Sequence, residues 1–491
     1  MESLSDTLWD VVICGTGLQQ SLLALSLSRS GKNILHIDPN EYYGGPDAAF
    51  SLQEAEAWVD RLADPSTANR GFRSASVTRP EGSTGLSFPR AYSIALSPQL
   101  IHSRSKLLSQ LVSSRAYRQV EFLAVGSFFV FNPAPGPDQK PSLARIPSTR
   151  EDIGFDTTIP LKGKRSLMKF LKFVQDYQSE ASTEIWKPYA DSPLTDFLQK
   201  HFKIDAQLQT YIIALTLSLD GKITTQDGLA ILFRHLTSMG LFGLGFAAVY
   251  PKWGGISEIA QVACRAGAVG GAVYMLGTGI KTHESMGDEL QLHLSNGETV
   301  KAKKLVRSSD SVGEPGISRL VAIVGSTLNG QFEALVEGAP QPAVSVIAFP
   351  SGSLHTSAGK VSEYPVHMTA HSSDTGECPV GQSILYLTTV ATANSKELLK
   401  NALDAFLEAM DEDPRPQTLF ELYYEQTKGA GESTKDGAIF NLPGPSLSPC
   451  FDDAVLDPVQ EAWKEVLGEV DTEYMTFTDR EGVTDEDEMY D

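Results

Sequence analysis

The chain has 491 residues, 41% of them hydrophobic and 21% charged, and a formal net charge of −21. A chain of this length divides into two or more compact units rather than one small core, and its composition is that of a globular protein rather than a disordered one. The acidic balance sets nucleic acid aside as a partner, because a phosphate backbone is met by clustered Lys and Arg.

Cys14, Cys264, Cys378 and Cys450 lie far apart and form neither a C-x-x-C pair nor metal-ligand spacing with a histidine, so a reduced compartment and no metal site are expected. The opening M-E-S-L-S-D-T-L-W-D lacks a basic region followed by an apolar run, no stretch of eighteen apolar residues occurs, and D-E-D-E-M-Y-D at the end is not a lipidation box. Secretion and membrane spanning are not expected, and any membrane link is expected to be indirect.

In chain order, residues 10–45 read β-α-β: the buried run V-V-I-C, a glycine turn, a helix apolar almost all round (Leu18, Leu22, Leu23, Leu25, Leu27), and a second strand I-L-H-I ending before Asp38. Residues 64–90 read as a long polar loop. Two helical patterns are expected to bracket residues 97–116, followed by a strand pair around 122–131. The proline-rich stretch 132–141 marks a boundary. Four helical patterns fill 163–240: S-L-M-K-F-L-K-F-V, P-L-T-D-F-L-Q-K-H-F, L-Q-T-Y-I-I-A-L-T-L and D-G-L-A-I-L-F-R-H-L. Strands return at A-V-Y-P and in a hairpin around Asn296-Gly297. Strands at 343–348 and 384–390, a helix at 396–410 and another after Pro443 complete the reading. This predicts a discontinuous large unit, residues 1–150 with 243–468, a helical unit inserted at 151–242, and an acidic tail from 469 to 491 that frays.

The turn G-T-G-L-Q-Q opens the β-α-β unit. In a dinucleotide site the first glycine permits the tight turn, the second lets the backbone approach the pyrophosphate, and the third allows close helix packing. Gly15 and Gly17 fill the first two places and Asp38 has the spacing of a ribose-binding acid, but Gln20 stands at the third. Two readings follow: a flavin- or nicotinamide-dependent oxidoreductase, or a Rossmann-type unit holding no cofactor. The rest of the chain offers no redox cysteine pair and no cluster of His with carboxylates to handle a substrate.

The run I-L-H-I-D-P-N-E-Y-Y-G-G, residues 34–45, resembles a signature of the superfamily of Rab escort proteins and Rab GDP-dissociation inhibitors. The block Y-P-K-W-G-G-I-S-E-I-A-Q-V-A-C-R, 250–265, followed by V-G-G-A-V-Y-M-L, 269–276, supports it. Weaker similarity runs through F-P-R-A-Y-S-I-A-L-S-P, V-G-S-F-F-V-F and I-P-S-T, so the resemblance spans most of the chain. Ser257 and Ala260 stand where the family commonly has Gly and Pro.

The resemblance implies a mixed α/β fold related to flavin oxidases, a Rossmann-type domain with an inserted small all-α domain, working without a cofactor and without catalysis. It places Rab GTPases in their GDP form on a platform of Tyr42, Tyr43, Gly44, Gly45, Glu258, Arg265, Tyr274 and Met275. It also implies that a geranylgeranyl chain lodges among the helices, for which Ile212, Ile213, Leu215, Leu229 and Leu232 are candidates. In the escort branch the helical domain also docks the α/β heterodimer of Rab geranylgeranyltransferase through an exposed aromatic and a basic residue; Phe233, Arg234 and Phe242 are candidates. Features after Y-Y-G-G, with Trp58, and the helix and acidic tail at the end favour the escort branch, in a form shorter than animal escort proteins and fungal in type. Such a protein is cytosolic and meets membranes through its Rab. The alternatives are a dissociation inhibitor that recycles prenylated Rabs and the flavin enzyme built on Gly15, Gly17 and Asp38.

Overall fold

The computed structural model describes residues 4–64, 71–80, 84–136, 138–147, 150–309, 313–334, 336–429, 431–468 and 472–478. Val11–Cys14 pairs in parallel with Ile34–Ile37 on one side and Leu305–Ser308 on the other. Val273–Met275 and Ile439–Leu442 extend the sheet, again in parallel, and Thr434–Asp436 closes it antiparallel. The uninterrupted apolar runs V-V-I-C and I-L-H-I are what a parallel sheet covered on both faces requires. Helix Leu18–Leu27, all ten residues buried, covers one face together with Ile256–Val269 and Asp457–Leu467. The other face carries Ile280–Met286, Glu289–Leu294 and Thr299–Ala302, where Leu290, Leu292 and Leu294 meet Val12, Leu35 and Ile37.

A second, ten-stranded sheet forms the other half of the molecule. Pro315–Val324 lies between Thr418–Thr427 and Ser383–Val390, and Val366–His371 and Val344–Phe349 follow. Helix Ser395–Ala409 packs on one face through Leu399, Leu403 and Phe406. Phe122–Asn132 and Ala248–Pro251 are antiparallel neighbours. All the helices from Arg150–Phe155 to Thr225–Ser238 are strung between these two strands. Within that segment Leu161–Gln175 buries Gly163, Leu167, Phe170 and Val174, one stripe of a 3.6-residue period. Asp205 and Thr224 cap the helices that follow them, accepting from the N–H groups of Leu208 and Asp227.

Several expectations are corrected. Residues 64–90 contain a strand, Phe72–Thr78, at the edge of the large sheet; with one neighbour it fully buries only Phe72, which is why it read as loop. Residues 97–116 hold one helix, Lys106–Ser113, because Ser105 caps it and Ile101–His102 pairs as strand. The strand pair at 122–131 is a single eleven-residue strand. Gly126 in its middle signals no turn: the ring of Pro342 packs where a Cβ would stand, 2.4 Å away. Phe122–Asn132 and Ser142–Arg145, on either side of the proline-rich stretch, are antiparallel neighbours. Of the tail, 472–478 does not fray: Met475 is buried and Tyr474 packs on Trp463 at 5.3 Å. Residues 479–491, where the acidic run lies, fall outside the described residues.

Candidate functional site

The glycine turn is closed by the chain's own side chains. Gly15 takes a left-handed φ of +104°, as a tight turn requires. Gln20 is buried, and its Nε2 donates to Ser308 Oγ at 2.6 Å. Its amide therefore lies across the turn, 3.4 Å from where a Cβ on Gly15 would stand and 3.2 Å from one on Gly17. Asp47 Oδ2 accepts the Leu18 N–H at 3.0 Å, which puts a carboxylate on the helix N-terminus where a pyrophosphate would sit. Burial pushes Asp47 up to about 6, against the pull of the Leu18 N–H and the Arg319 charge. Asp38 is engaged too: Oδ2 accepts from the Thr16 N–H and hydroxyl at 2.6 Å each, and Oδ1 from the Asn40 N–H and side chain. These residues do not fit a dinucleotide, so the flavin-enzyme reading is set aside.

What the turn holds is the Y-Y-G-G loop. Thr16 Oγ1, donating to Asp38, accepts the Gly44 N–H at 3.0 Å. Gly44 sits at φ +96°, and a Cβ there would come within 2.8 Å of Ala48 Cα. Tyr42 turns inward, edge-on to Phe50 at 4.9 Å, and burial pushes its phenol up to about 12. It anchors the loop instead of offering a contact face. Tyr43 points out.

Beside it runs helix Ile256–Val269. Glu258 is half-buried and Arg265, two turns on, is exposed. Burial raises the Glu258 carboxyl while the Arg265 charge lowers it, so the two sense one another along the helix face. Tyr274 lies 6.3 Å from Tyr43 and 4.7 Å from His36, ring to ring. Met275 is half-buried against the neighbouring core, and its carbonyl accepts the Asp38 N–H at 2.9 Å. Tyr43 and Tyr274 thus lie together beside the helix that carries Glu258 and Arg265, with Tyr42, Gly44 and Gly45 shaping the loop, whereas Met275, next along the strand, packs into the core on the opposite face of the sheet.

A cavity of about 290 Å³ opens between the helices and the large sheet, near the small end of the ~300–1,000 Å³ usual for ligand sites. Leu167, Phe170, Ile212, Leu215 and Leu232 line it from the helices, Phe128 from the sheet and Phe246 from the loop before Ala248–Pro251. Of the other expected lining residues, Leu229 is fully buried in the core of the helical segment and Ile213 packs partly buried against that core. The expected docking residues sit near the same helices. Phe233 is half-buried on Tyr177 at 5.1 Å, and Arg234 pairs with the carboxylate of Asp453 at 3.9 Å. Phe242 is exposed, between Leu241 and Leu244.

Sequence reasoning missed Phe155, which is 85% exposed. It precedes helix Leu161–Gln175, which carries Lys162, Lys164, Arg165, Lys169 and Lys172 and no acid. Five cations on one helix of a chain at −21 were the signal available.

The model of the family described as GDI, GDP dissociation inhibitor, matches residues 5–320. The chain belongs to the GDP dissociation inhibitor family. Among curated relatives, a protein named Rab proteins geranylgeranyltransferase component A from Saccharomyces cerevisiae is 31% identical over 411 residues, 82% of this chain and 64% of that protein. Its namesake from Candida albicans is 30% identical over 406 residues, 78% of this chain and 59% of its own length. The match thus spans less than two thirds of either relative. The Rab GDI of Plasmodium falciparum has the same fold, with a TM-score of 0.67 at 19% identity over 94% of this chain and 98% of that one. An oxidoreductase from Methanosarcina mazei follows at a TM-score of 0.58 and 11% identity, covering 92% and 99%. The expected GDI-like mixed α/β fold, related to oxidoreductases, is therefore the fold found. In this family member the nucleotide turn is filled by Gln20 and Asp47. Among its described residues no helix is long and apolar enough to cross a membrane.

Proposed function

We propose that this chain is an escort subunit for Rab-type small GTPases. It binds an unprenylated, GDP-loaded Rab on the surface around Tyr43 and Arg265 and presents the Rab C-terminal cysteines to the geranylgeranyltransferase heterodimer. It then shelters the geranylgeranyl chain in the cavity lined by Ile212, Leu215 and Leu232, working from the cytosol and meeting membranes through its cargo. The observation that carries this reading is the Asp38–Thr16–Gly44 chain of hydrogen bonds. The acid that a dinucleotide fold reserves for ribose here holds up an exposed loop, so the fold serves recognition rather than redox chemistry. An exposed aromatic and an exposed arginine are residue types enriched in interfaces. For the transferase, the exposed Phe155 and Arg165 join Phe233, Arg234 and Phe242 as candidates.

The test is a reconstituted prenylation assay with the transferase heterodimer, a geranylgeranyl donor and an unprenylated Rab. Lipid transfer is expected to depend on this protein, and equal transfer without it refutes the escort role. The matched family model favours a second reading, a dissociation inhibitor that handles only prenylated Rab. Affinity for lipid-free Rab separates the two: an escort retains it, whereas an inhibitor loses most of its binding without the lipid.

A further inference from the structure

Trp253 is about half exposed, 53%, and takes no part in the cavity or in the platform set described above. Its backbone is in the left-handed region, φ +72°, a conformation that for a bulky residue is an outlier and that persists where the surroundings impose it. The surroundings here are built for it. The Trp253 N–H donates to the Thr375 carbonyl at 2.9 Å and its own carbonyl accepts from Ser93 Oγ at 2.9 Å. The indole lies on Gly376, where a Cβ would come within 2.3 Å of the ring. Lys252 Nζ, paired with Glu121 at 3.0 Å, sits 5.0 Å from the ring centre. Beneath, Tyr250 donates to Glu377, whose other oxygen meets His371 at 2.6 Å, all three buried. Such a clamp fixes the ring, yet half of it faces solvent, so burial of the side chain within this chain does not account for the strain.

Its position gives the occupant. Trp253 opens the Gly254-Gly255 turn that leads into helix Ile256–Val269, and Gly254 packs on Ala49, a few residues beyond Tyr43. Ile256 and Arg265 are about 14 Å apart along the helix, so Trp253 and Arg265 fall within the footprint of one interface of ~800 Å² per partner.

We infer that Trp253 is a second aromatic anchor for the GTPase, at the opposite end of the platform helix from Tyr43 and Arg265. The inference rests on the proposed Rab-binding role of that platform. It takes the indole to fill an apolar depression on the GTPase, the use to which tryptophan is most often put at the centre of interfaces.

The experiment measures affinity for an unprenylated, GDP-loaded Rab together with melting temperature, on Trp253→Gly, Trp253→Tyr and Tyr43→Ala. Glycine adopts φ +72° without strain, so Trp253→Gly is expected to melt at the same temperature as wild type or higher while binding Rab about tenfold or more weakly. Trp253→Tyr is expected to keep most of the affinity. If Tyr43→Ala loses binding and Trp253→Gly does not, the anchor is refuted and the platform stands. If both bind as wild type, or wild type binds no Rab, the platform reading falls and the anchor with it. A loss of affinity in Trp253→Gly matched by a fall in melting temperature assigns Trp253 a structural role and also refutes the anchor.

Discussion

In a dinucleotide turn the third small residue leaves the helix start open; Gln20 instead folds back over Gly15 and donates to Ser308. That consequence was legible in the sequence, because a long side chain at this position has nowhere else to go. The role of Asp47 was not, since it depends on the short turn Gly45–Asp47 bringing the carboxylate back to the Leu18 N–H. Among the surface residues Arg265 is the sharpest test. It is exposed and its charge acts on half-buried Glu258, so truncating it disturbs little of the fold. Arg265→Ala is expected to cost on the order of 2 kcal/mol of Rab binding if the guanidinium meets a desolvated polar group of the partner, with melting temperature unchanged. Affinity and melting measured on one preparation separate this from a structural role, for which both fall together.

Among the elements, those with strong period were legible and those set by partners were not. Leu18–Leu27 and Leu161–Gln175 carry their packing in their own spacing. Pro315–Val324 hides because Arg319, fully buried between two strands, interrupts its apolar run. The cavity behaves likewise: Ile212, Leu215 and Leu232 were read from helix faces, but Phe128 on the opposite wall comes from a strand distant in sequence. This geometry makes a prediction at the level of the helix Ala206–Thr216. Leu215→Trp fills cavity volume at a half-buried position, where overpacking costs roughly 1–3 kcal/mol in a tight core and less beside a void. Prenylated Rab is expected to lose the increment of affinity its lipid provides, while lipid-free Rab binds as to wild type. Equal loss for both forms places the lipid elsewhere.

At the scale of the molecule, the helical segment and the large unit meet at a seam of buried titratable groups. His235, on the cavity wall, faces His102 edge-on at 5.6 Å. Cys450 Sγ is 3.2 Å from His102 Nδ1, and Arg234 pairs with Asp453 alongside. Burial drives His235 down to about 4 and His102 well below its ordinary value, and holds the Cys450 thiol up near 12, so the seam is neutral at its centre. The sign follows from proton uptake. Between pH 6.5 and 4 the unfolded chain protonates His235 and the folded one does not, so this contribution to stability is complete above 6.5 and is lost as pH falls through that window. Each such histidine contributes a slope of about 1.4 kcal/mol per pH unit. Asp47, raised to about 6, acts with the opposite sign below pH 6, so the wild-type curve is a sum that hides its parts. His235→Gln isolates one of them. Its stability, measured by denaturant unfolding across pH 4 to 7.5, is expected to run parallel to wild type above 6.5 and to fall about 1.4 kcal/mol less per pH unit below it. Identical slopes would mean that His235 takes up its proton with the seam closed, and that the cavity wall tolerates a charge.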